Sequence, residues 1–94
     1  MKKRIGRVSE KEKKEIQVLS NRKNGLNELL RIISTGDDNK LHYEKLMIDL
    51  IEANISFNQW WDKMSERYQW EKHPNANWEI DFLTNEVYLV GDSL

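Results

Sequence analysis

The chain's single proline, Pro74, separates two hydrophobic periods. Upstream, apolar residues recur every three or four positions. Downstream they alternate every second position, and one element cannot satisfy both spacings. Proline has no N–H and pushes the residue before it, His73, out of helical space, so a helix arriving from upstream must stop by there. The chain is therefore held to helices first and strands after, an α+β arrangement.

The upstream part divides into two helices. Ser9 reads as an N-cap, and Glu12 three residues later completes a capping box. A first helix over residues 9–34 places Ile16, Leu19, Leu26, Leu30 and Ile33 on one stripe, with Lys23 at the skipped position. Gly25 lies inside it at a cost of about 1 kcal/mol relative to alanine, but the stripe keeps its phase across the glycine. Gly36 suits a left-handed C′ position, and Asp38 or Asn39 a second N-cap. So short a connection makes antiparallel neighbours. A second helix over 39–68 carries two stripes. One is Tyr43, Met47, Leu50, Phe57, Trp61, Met64 and Tyr68; the other is Leu41, Ile48, Ile51 and Ile55. The first helix can cover only one of them.

Residues 69–91 form a β-hairpin region. Trp78, Ile80 and Phe82 alternate with Glu79 and Asp81 from about 77 to 83. The turn falls at Leu83–Glu86, where Asn85 tolerates positive φ, and the chain returns through Val87–Val90. A lone hairpin is marginal in water, so it must pack on the helices or gain a strand, either from residues 3–8 or from 70–72. The expected core is Leu26, Leu30, Leu50, Phe57, Trp61, Trp78, Ile80 and Phe82. All 94 residues make one domain.

Composition narrows the chemistry. There are no cysteines, which removes disulfides, thiolate metal sites and cysteine nucleophiles. Residues 1–23 hold nine basic and three acidic side chains, while the remainder holds six basic and thirteen acidic. The ends thus differ in sign, as a chain that steers charged partners can. A solvated helix start explains the basic segment more simply than a nucleic-acid patch, since the pI is about 6.1 and no nucleic-acid motif is present. No apolar run approaches a membrane span, and the basic N-terminal segment 1–8 lacks the apolar stretch of a signal peptide. The expectation is a cytoplasmic protein with no membrane contact.

No catalytic set and no metal site is legible. His42 and His73 are far apart, and either would need a carboxylate such as Glu44 or Glu71 to ligate a metal. Glu79 and Asp81 share a strand face, but acid–base work would require their pKa values to be driven apart. A solvated face or a partner contact suits them better, with Tyr88 nearby on the return strand. Four tryptophans in 94 residues is a high count. Trp61 and Trp78 read as core. Trp60, turned about 100° from Trp61, either packs under the hairpin or is exposed; it and Trp70, beside the turn region, are the candidate partner-binding anchors.

The run Trp60-Trp61-Asp62-x-Met64, then Tyr68-x-Trp70, Trp78-Glu79-Ile80-Asp81-Phe82 and Tyr88-Leu89 resembles the CXXX repeat peptide modification system proteins. Arg22-Lys23-Asn24-Gly25-Leu26-x-Glu28-Leu29 resembles them upstream. The resemblance implies a non-catalytic accessory protein without a cofactor of its own, bound to a radical-SAM maturase that acts on a ribosomally made precursor peptide. A related implication is the small partner subunit of a peptide splicease. The alternatives are a regulatory or nucleic-acid-binding protein using the basic N-terminus, or a small stand-alone enzyme.

Overall fold

The computed structural model describes residues 1–34 and 40–92, with side chains for 1–32 and 42–92. The elements run β1 (Lys2–Arg7), α1 (Glu10–Ser34), α2 (Lys40–Tyr68), β2 (Ala76–Ile80) and β3 (Glu86–Gly91). The strands form one antiparallel sheet in the order β1-β3-β2. This is the expected α+β class, with residues 2–7 supplying the third strand. The basic N-terminal segment is thus an edge strand, and much of its charge is engaged. Lys3 pairs with Glu71, Arg4 with Glu86, and the Lys2 ammonium lies 4.5 Å from the Tyr88 ring centre.

Helix α1 starts where its capping box dictates. The Ser9 hydroxyl accepts the Glu12 N–H at 3.1 Å, and the Glu12 carboxylate accepts the Ser9 N–H at 2.8 Å. Gly25 sits in open space within a continuous helix. The expected cap residues Gly36, Asp38 and Asn39 lie outside the described residues. Helix α2 ends at Tyr68, five residues before His73, through a Schellman cap. Gln69 adopts positive φ (55°), and the Trp70 N–H reaches back to the Ser65 carbonyl at 3.1 Å. This reversal sends Trp70 back under the sheet.

The hairpin is shorter on its first arm than the alternation suggests. Strand β2 stops at Ile80, so Asp81 and Phe82 belong to the turn. The Asp81 carboxylate accepts the Leu83 N–H at 2.8 Å, and the Asn85 N–H bonds the Asp81 carbonyl at 2.8 Å, with Asn85 at φ 63°. An aspartate that can bond its own turn ends the strand even though the apolar alternation continues.

The core gathers at the sheet end of the helix pair. Val8, Ile16, Trp60, Trp61, Met64, Trp70 and Val87 form one buried cluster, and Leu89 is buried beside Val87 in β3. Of the expected core, Leu50 and Trp61 are buried. Phe57, Trp78, Ile80 and Phe82 are half-buried against the cluster. Leu26 and Leu30 are also only half-buried, because they lie toward the end of α1 remote from the sheet.

Two tryptophans overturn the expectation of exposure. Trp60 is 7% exposed and Trp70 6%. Trp60 meets Trp61 edge to face, ring centres 4.9 Å apart, so both flanks of the helix seam are filled rather than one. Trp70 is covered by β1 on one side and stacks on Tyr68, ring centres 5.6 Å apart, on another. Strand β1 provides the cover that a two-stranded reading lacks.

Candidate functional site

The residues expected to bind a partner do not form one patch. Trp60 and Trp70 are core. Asp81 is a turn residue. Glu79 and Tyr88 do meet, as register partners across β2 and β3 on the face of the sheet turned away from the helices. Tyr88 also faces Arg4 across the β1–β3 ladder. A cationic strand thus borders Tyr88 on one side and a carboxylate on the other.

Of the second apolar stripe of α2, Ile48, Ile51 and Ile55 are left uncovered by α1 and the sheet, while the side chain of Leu41 lies outside those described. Ile48, Ile51 and Ile55 are 57%, 52% and 50% exposed. Their spacing of three and four puts them on one line along the helix. Single exposed apolar residues are ordinary, whereas these three are aligned on one line of the helix.

The main buried polar cluster joins the two helices. Glu12 is buried, and its Oε1 accepts both the Ser9 N–H and the Tyr68 hydroxyl. Its other oxygen lies 3.1 Å from the Arg67 guanidinium, which is not aligned as a hydrogen bond. Burial raises the Glu12 pKa, but the Tyr68 and Ser9 hydrogen bonds and the Arg67 charge outweigh it, so the carboxyl titrates below its usual range. Donation to Glu12, then burial, lifts the Tyr68 hydroxyl above its ordinary value. The Tyr68 hydroxyl and the Ser9 N–H both converge on Glu12, so the cluster fastens the start of α1 to the end of α2.

A cleft runs beneath β2. Phe57, Trp61 and Trp78 line two adjoining hollows, one of about 590 Å³ reaching Lys23 and Asp62, the other of about 180 Å³ reaching Ile16 and Ile80. The Lys23 ammonium is held 4.2 Å from the Phe57 ring centre. The position of Lys23 as the polar break in the α1 stripe was the signal for this contact. A separate apolar groove of about 510 Å³ lies between the helices beside Val18, Leu19, Trp60 and Met64.

Among the described residues no group of three or more histidines or acidic residues is placed to hold a metal ion, and no helix is long and apolar enough to cross a membrane. Searches of protein-family models, curated proteins and solved structures find no match to this chain.

Proposed function

We propose that this chain is a non-catalytic binding subunit of a peptide-modifying complex, docked on a radical-SAM maturase that acts on a ribosomally made precursor peptide. The observation that carries the binding role is the exposed row Ile48, Ile51 and Ile55 on α2. Full burial of one such side chain contributes about 1.5–3 kcal/mol and these are already about half-buried, so the row supplies the apolar centre of a wider contact rather than the whole of it. The resemblance of the tryptophan-rich tail to accessory proteins of maturases names the class of partner. In this reading the cluster chemistry belongs to the larger enzyme, and the complex works in the cytoplasm.

The contact differs from the one that the sequence suggests. Trp60 and Trp70 are occupied in the core, so the docking surface is the α2 isoleucine row rather than an indole pair. Co-expression of enzyme and precursor with and without this chain, read by mass spectrometry of the peptide, tests the role. Loss of modification without this chain is the expected result, and undiminished modification would overturn it. Ile51→Lys together with Ile55→Lys should leave the fold intact and abolish co-purification with the enzyme.

A further inference from the structure

We propose that the outer edge of β2 is a strand-addition site for an extended peptide segment that alternates apolar and basic side chains. The register of the sheet decides which backbone groups are free. Met1 and Gly91 exchange both main-chain hydrogen bonds, so Gly91 points toward β1. Alternation along β3 then turns Val90, Tyr88 and Glu86 toward β2. The Asp81 N–H accordingly donates to the Glu86 carbonyl at 2.9 Å. Their β2 partners are Asn77 and Glu79. The N–H and C=O groups of Trp78 and Ile80 therefore face away from the sheet, and no strand or loop among the described residues pairs with them.

The two edges of the sheet are unlike. Strand β1 carries Lys2, Lys3, Arg4 and Arg7 and a bulge between Arg4 and Gly6, devices that discourage pairing. Strand β2 has no bulge and a single charge, Glu79, and the aromatic cleft opens beneath it. An added strand running antiparallel to β2 would exchange both main-chain hydrogen bonds between its residues opposite Trp78 and Ile80 and those two residues, and would share faces with them. Its residues opposite those two would point down toward Phe57 and Trp61, which calls for apolar side chains. Its residue opposite Glu79 would lie on the outer face beside that carboxylate, which calls for lysine or arginine. A second copy pairing β2 to β2 would bring Glu79 carboxylates together, so the charge favours a basic peptide over self-association. Identifying the segment with the precursor peptide rests on the function proposed above, whereas the site itself does not.

The test is a titration of the ¹⁵N-labelled full chain with a capped heptapeptide that alternates lysine with valine and has phenylalanine at its centre. Saturable shifts and slowed solvent exchange are expected at the Trp78 and Ile80 amides, while those of Asn77 and Glu79, already paired, keep their protection. Methylating the backbone nitrogens of the apolar peptide residues should weaken binding at least tenfold, and methylating those of the lysines should change it little. Glu79→Lys should weaken binding of the lysine peptide several-fold. Equal binding of the two methylated peptides, or no saturable shift at Trp78 and Ile80 at millimolar peptide, would overturn the proposal. So would a dimer in sedimentation whose Trp78 and Ile80 amides are protected without peptide. Loss of the edge site with co-purification retained would refute this proposal alone. Peptide binding without enzyme binding would refute the docking reading alone.

Discussion

A side-chain carbon built on Gly6 would stand 2.5 Å from the indole nitrogen of Trp70. Strand β1 therefore passes the nitrogen edge of the Trp70 indole at a position that has no side chain. The contact ties the first strand, itself paired with β3, to the residue that closes α2. Trp70 has no easy retreat, because Trp61 and Trp78 lie 6.1 and 6.2 Å away between ring centres.

Gly6→Ala is expected to destabilise the fold by about 1–3 kcal/mol, the usual cost of overpacking a filled site. Urea denaturation checks this. The displaced partner is Trp70, so the loss should come with a change in tryptophan fluorescence of the folded state. An alanine variant as stable as the parent would mean that β1 does not press on the indole.

Trp60→Ala and Trp70→Ala should each cost about 3–5 kcal/mol, as for truncation of large buried aromatics. That loss is of the order of the whole stability of a domain this small. Thermal melts should show both variants largely unfolded near 37 °C. Indoles that served only as surface anchors would leave the melting temperature unchanged.

Stability should depend on pH through the pair of Glu12 and Tyr68. The Glu12 pKa is lowered from 4.5 in the folded chain, so its contribution is present above 4.5 and is lost as pH falls through the lower folded value. The Tyr68 pKa is raised from 10.0, so its contribution is full below 10.0 and is lost as pH rises through the higher folded value. Denaturation midpoints across pH should show both flanks. Glu12→Gln should flatten the acid flank, and Tyr68→Phe the alkaline one.

Gln69→Gly should stabilise the protein by roughly 0.5–1 kcal/mol. A residue with a Cβ pays about 1–2 kcal/mol in the left-handed region, and part of that relief is offset by the greater freedom of glycine in the unfolded chain. The side chain's 2.6 Å bond to the exposed Glu66 carbonyl is lost, but water replaces it. Chemical denaturation should show a higher midpoint with an unchanged slope.

Local signals determined much of this protein. Ser9 and Glu12 set the start of α1 because a capping box is a contact within one turn. The two spacings on either side of Pro74 set the two helices before the hairpin of β2 and β3, and Asn85 took positive φ as a turn residue of its kind can. The second stripe of α2, legible as Ile48, Ile51 and Ile55, is indeed left exposed by α1 and the sheet. Tertiary structure decided the rest. Trp60 and Trp70 stand at positions whose burial depends on distant chain. One side of Trp70 is covered because residues 2–7 return from the far end of the sequence to pair with β3. The outward-facing amides of Trp78 and Ile80 have the same origin, since β1 occupies one side of β3 and β2 the other. Periodicity reports which side chains share a face. It does not report what will be laid against that face, because that partner is fixed by contacts between residues sixty or more positions apart, such as Gly6 and Trp70.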